Sequence, residues 1–190
     1  MKTIPPLLAA MLSVICVLTG CQSPKAARAP LASTAAQAVR NNCYSLLHQL
    51  LEDEKNVRLL LFIKREQEDV NQLIKKISAN SGAGAKLLEE FARHDPAIRL
   101  DDFRLPPGEI ATRAAIAATK KQELLGQSGE QFELSLLLTQ LQALSYAWHL
   151  AKVAGENEAQ PERAQALAGV SADMQHLYNE VFGLLRSRTK

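Results

Sequence analysis

Aromatic residues make up only 5% of this 190-residue chain, with a single tryptophan, and glycine occurs nine times. The body is rich instead in leucine, alanine, glutamate, glutamine, lysine and arginine, which lose least on entering a helix. The composition therefore reads as all-α. Blocks of like charge are also missing: 22 basic and 20 acidic side chains are mixed along the chain, which leaves no electrostatic footprint for a nucleic acid. The sequence contains no Gly-x-Ser-x-Gly elbow and no Cys-x-x-Cys. Gly82 and Gly84 in "NSGAGAK" lack phosphate-loop spacing and follow no strand, so they read as a helix break. Glu-x-x-His, which two helices of a di-iron bundle each supply, does not occur once. No catalytic residue, no metal and no cofactor is expected.

The length suits one domain with a real core. Long hydrophobic runs are lacking too. Leu7 to Leu18, after the positive Lys2, is shorter than the roughly 20 apolar residues needed to cross a bilayer core of about 30 Å, so residues 1–20 read as an export signal rather than an anchor helix. Leu18-Thr19-Gly20-Cys21 follows: an aliphatic residue, two small residues and a cysteine, which resembles the bacterial lipobox. The resemblance implies a diacylglyceryl group on the Cys21 thiol and cleavage between Gly20 and Cys21. Several acyl chains, at about 0.8 kcal/mol per buried methylene, hold far more firmly than one. Gln22 stands where aspartate favours inner-membrane retention in the enterobacterial pattern, and it leans towards the outer membrane, with the domain facing the periplasm.

Residues 22–36, "QSPKAARAPLASTAA", have the composition of a flexible tether, placing the start of the folded domain at 37. With Cys16 removed and Cys21 lipidated, Cys43 is the one thiol left in the mature body, and no intrachain disulfide forms. It shares an apolar helical stripe with Leu46, Leu47 and Leu50 and reads as buried and inert.

Residues 37–80 are helical in pattern, with Val70, Leu73, Ile74 and Ile77 at i, i+3, i+4 and i+7. The acidic residues of "KREQED" suit the first turn of a new helix, which puts a break near Lys64 to Asp69 and the block Leu59 to Ile63 near the middle of a bundle. Helix resumes over Lys86 to Arg93 until Asp95-Pro96 stops it. "DPAIRLDDFRLPPGE" reads as an extended surface connection. A helix from Pro107 to Gly126 is expected to turn Ile110, Ala114, Ala117 and Leu124 inward. Ser128 to Gln131 matches a capping box and opens a long apolar helix, to about Gly155, that carries Leu134, Leu137, Leu138, Leu141, Leu144 and Trp148. Pro161 starts a last helix with an antiparallel packing seam of Leu167, Val170, Met174, Leu177, Val181 and Leu184. The expected fold is an all-α, up-down four-helix bundle over 37–190, with one or two short extra helices.

The order of helical hairpin, "RLPPGE" crossing, short helix ending in "ELLGQSGEQFE", long helix and last helix after "QPERA" resembles the bacterial envelope proteins grouped as domain of unknown function 4142. The likeness spans roughly residues 41–185 and implies a ferritin-like helical bundle. That raises the question of a metal. The weak candidate ligands are His149, beside Trp148, and Asp173-x-x-His176. His48-x-x-x-Glu52, Glu90-x-x-x-His94 and His176-x-x-x-Glu180 read as surface pairs. Arg186, Arg188 and Lys190 read as a solvated basic tail. Two function classes follow: a non-catalytic envelope lipoprotein whose bundle binds another envelope protein or a cell-wall component, and a ferritin-like metal-binding protein or metal-dependent enzyme. The missing ligands favour the first.

Overall fold

Five long helices and one short one follow in order: α1 (Ala29–Glu54), a 3-10 helix (Val57–Phe62), α2 (Glu68–His94), α3 (Pro107–Gly126), α4 (Gly129–Glu156) and α5 (Pro161–Arg188). They are seen in a computed structural model that describes residues 29–62, 64 and 67–188. Among the described residues there is no strand, and no helix is long and apolar enough to cross a membrane.

Four helices close a ring in which α1 packs on α2 and α4, and α5 on α4 and α2. Every neighbouring pair is antiparallel. As α1 advances from Tyr44 through His48 to Leu51, its partners on α2 step back from Phe91 through Glu89 to Gly84. Its partners towards α4 step back from Glu158 at Tyr44 to Gln140 at Glu54. Lys76 in the first half of α2 meets Glu180 near the end of α5. Helices α2 and α4 therefore run the same way across the diagonal, joined by a crossover that carries α3. One such crossover is the connectivity of ferritin-like bundles. Side chains from all four helices fill the centre, among them Tyr44, Leu47, Ile74, Leu88, Phe132, Leu137, Leu167 and Met174, each fully buried. The crossover is pinned to α1 by polar groups. Asn41 Nδ2 donates to the Ala97 carbonyl (2.8 Å), Asn42 to that of Phe103, and Ser45 Oγ donates to the Arg99 carbonyl (2.9 Å) while accepting from the Asp102 amide (3.0 Å).

The break expected near 64–69 is present, and α2 opens with Glu68 and Asp69 in its first turn. Other expectations need correction. Helix α1 already spans residues 29–36, part of the segment read as a tether, where Ala32, Ala35 and Ala36 favour helix. The block Leu59 to Ile63 is not central. Asn56 Nδ2 takes the Glu52 carbonyl (2.9 Å) as α1 ends, and the chain continues as a 3-10 turn with Leu59 exposed. Ile63 itself lies outside the described residues.

"NSGAGAK" is no helix break, since α2 runs through it. Gly84 is buried, and a Cβ there would come within 3.0 Å of Leu51 Cδ1, so its lack of a side chain lets α1 approach α2. In α3, Ile110, Ala114 and Ala117 are exposed and only Leu124 is buried, because four longer helices already close the core. Ser128 is the N-cap of α4 but makes no side-chain cap bond. Gly129 beside it takes φ +58°, a left-handed conformation suited to glycine, as the chain turns from α3 into α4.

Candidate functional site on the outer face of α4 and α5

Helix α4 is apolar on more sides than the core can cover. Phe132, Leu136, Leu137, Leu144, Ala147 and Ala151 face inward, which leaves Leu134 and Leu138 exposed at 42% and 47% and Leu141 half-buried on the outside. The same outer face continues through Ser145 to His149, while α5 contributes Tyr178 and, one turn on, the exposed Phe182. The rings are ordered. Trp148 and Tyr178 have centroids 6.1 Å apart, and Tyr178 stacks on Phe182 at 6.4 Å with planes 4° apart. The Arg186 guanidinium lies 5.9 Å from the Phe182 centroid. From α3, Arg113 sits 5.2 Å from the Tyr146 ring and donates to its hydroxyl (3.0 Å).

Two open grooves border these rings. One, of about 590 Å³, runs between α4 and α5 and is lined by Trp148, Lys152, Gly155, Glu156, Ala164 and Ala168. A Cβ at Gly155 would sit 3.4 Å from the Ala164 carbonyl oxygen, so glycine permits the close approach of the two helices that forms this floor. The second, of about 470 Å³, is lined by Leu141, Gln142, Ser145, Tyr146, His149 and Tyr178. Aromatic bodies with polar tips, flanked by guanidinium groups, have the chemistry of interface anchors: large contact area, few rotatable bonds and a hydrogen-bonding end. No protein-family model, no curated protein and no solved structure matches this chain.

The weak candidate ligands are not brought together. His149 is exposed, with Nδ1 2.7 Å from the Ser145 carbonyl and its ring 4.4 Å from Trp148. His176 is exposed and pairs with Glu180 (3.0 Å), and Asp173 lines a shallow groove beside α2. Among the described residues the one group of three potential ligands is a different one, His48, Glu52 and Glu89. Its α1 half is visible as i, i+4 spacing, but Glu89 joins only through the α1–α2 hairpin, which no local pattern reveals. The ring of His94 bonds the carbonyl of Glu90 in its own helix. Cys43 is buried, and burial pushes its thiol pKa up, away from reactivity. Gly20, Cys21 and Lys190 lie outside the described residues.

Arg188 corrects the expectation of a solvated tail. Its guanidinium joins Glu133 of α4 and reaches Asp69 at 2.8 Å. The opposite end of the bundle holds a second such network, also unforeseen. Glu158, whose side chain is wholly buried, accepts from Tyr44 Oη and Arg163 Nη2 (both 2.9 Å), with Arg40 at 3.6 Å; Arg163 also pairs with Asp95 (2.9 Å). Burial works to raise the Glu158 pKa, but the bonds from Arg163, the Gln160 amide and Tyr44 outweigh it, and the net direction is down. Glu54 is the contrary case. Burial drives its pKa up to about 7, against a hydrogen bond from Gln140 of α4.

Proposed function

We propose that this chain is a lipid-anchored lipoprotein of the bacterial envelope, tethered through Cys21, whose helical bundle is a non-catalytic binding module at the periplasmic side of the outer membrane. The anchor rests on Leu18-Thr19-Gly20-Cys21 and the short apolar stretch before it. The resemblance to domain of unknown function 4142 supports the same placement. The observation that carries the binding role is the outer face of α4 and α5, where Leu134, Leu138 and Phe182 are exposed beside a Trp148–Tyr178–Phe182 ring series. Apolar side chains gathered on one rimmed face mark interaction sites, whereas scattered ones need no explanation. The partner is another envelope protein or a cell-wall component, held by aromatic contact.

Two measurements test this. Intact-mass analysis of the protein extracted from membranes should show an acylated cysteine at the mature N-terminus; an unmodified Cys21 would remove the anchor. A photo-crosslinking amino acid at Phe182 or Leu138 should capture one discrete adduct in intact cells, and the same group at Lys75, on the outside of α2, should not. Equal labelling from all three positions would remove the binding face.

A further inference from the structure

Away from the aromatic face, the α1–α2 hairpin brings together an imidazole and two carboxylates, and we propose that His48, Glu52 and Glu89 bind a divalent transition-metal ion of the zinc class. His48 and Glu52 share one side of α1 at i, i+4, and Glu89 projects from α2 opposite them. One donor atom from each lies within 4.8 Å of the other two. The separation of His48 Nε2 from Glu89 Oε1 is 3.3 Å. Two ligands on a tetrahedral ion with bonds of 2.0–2.1 Å stand roughly 3.3–3.4 Å apart. The pair is in hydrogen-bond contact, at a separation that two ligands of one tetrahedral ion would also keep. Glu89 is exposed and His48 and Glu52 are half-buried, so the carboxylates can close the remaining distance by rotation, and a fourth position stays open to water. Nitrogen with carboxylate oxygen is a donor set for zinc, copper or nickel rather than calcium.

A cation already occupies part of the site. Both Glu52 oxygens hold the Lys55 ammonium, at 2.5 and 2.6 Å, and this side chain is partly exposed, so it can swing into water as the ion enters. The molecule carries its own control in His176 and Glu180, which have the same spacing, and a lysine, Lys76, on the carboxylate (2.9 Å), but belong to no group of three among the described residues.

The test is calorimetric titration of the full-length protein in detergent with zinc chloride, followed by cobalt substitution to read the coordination geometry. One ion per chain is expected. His48→Ala and Glu89→Gln should each weaken binding more than about tenfold, since even outer partners of metal ligands are worth 10–100-fold. His176→Ala should leave it unchanged, and Lys55→Met should tighten it by removing the competing ammonium. Absence of saturable binding, or equal affinity in wild type and His48→Ala with unchanged circular dichroism, overturns the site. Equal affinity in wild type and Lys55→Met overturns the role of Glu52 and with it the three-ligand site.

Discussion

Helices α3 and α4 meet through Gln127 and Ser128 and lie against each other, yet the fold holds them in opposite ways. Helix α4 buries leucines along its length and is tied by acidic groups near both ends, Glu133 to Arg188 and, just past its terminus, Glu158 to Arg163. Helix α3 buries Leu124 alone, and its ion pairs, Glu109 with Arg113 and Lys120 with Glu123, lie on its own partly exposed surface. Both helices are rich in apolar residues, but those of α3 are mostly alanine, each of which has little surface to withdraw from water. Width of the leucine face, rather than apolar content, decides which helix enters the ring.

The sharpest way to break this contrast is in the core of α4. Leu137→Ala should cost about 3–5 kcal/mol in urea denaturation, from lost transfer energy and the cavity left among four helices. Next comes the charge beyond its end. Glu158→Gln removes the negative charge facing Arg163 and Arg40 and puts an NH2 donor in place of one of the two oxygens that accept from Arg163 and Tyr44. It should cost about 3 kcal/mol, the lower end for orphaning a buried charge, because Asp95 still holds Arg163. Its depressed pKa gives the wild type stability that is present above the ordinary carboxylate range and lost as pH falls through it, and the variant should lack that acid-side loss.

The helical boundaries were largely legible because their markers are local. Pro107 and Pro161 open helices where proline is tolerated, Asp95-Pro96 closes one, and the core stripe of α5 follows its three-and-four spacing, except that Leu185 rather than Leu184 takes the innermost position. Reading failed where a distant element decided the outcome. Gly84 carries the signal of a break but serves the approach of Leu51, the α3 apolar face points away from a core that other helices fill, and Arg188 is tied to Glu133 and Asp69 across the bundle, which no local pattern reveals. The aromatic face was half visible through Trp148 and His149. Tyr178 and Phe182 lie on another helix, and only the α4–α5 packing joins them.

A third test turns on the α1–α4 contact. Glu54 Oε2 and Gln140 Oε1 are both buried without a hydrogen-bond partner, and burial raises the Glu54 pKa from 4.5 to about 7. Between those values the folded chain holds a proton that the unfolded chain releases, so stability falls as pH rises through this window and levels off above it. The slope is opposite in sign to that from Glu158. At about 1.4 kcal/mol per pH unit, Glu54→Gln should flatten the profile and make the protein on the order of 2–3 kcal/mol more stable at pH 8. A wild-type profile with no fall between pH 5 and 7 would refute it.

The smallest effect belongs to α3. Ile116 is 56% exposed, so Ile116→Lys removes little buried surface and introduces a good helix former, and stability should change by less than about 0.5 kcal/mol. Hydrogen exchange extends the same reasoning from side chains to the backbone. Opening α3 exposes little beyond Leu124, whereas opening α4 exposes the whole core, so α3 amides should exchange through local opening well below the global unfolding free energy while those of α4 approach it. Equal protection of the two helices would mean that α3 is held by contacts of the same strength as α4, and the distinction between ring and outer helix would collapse.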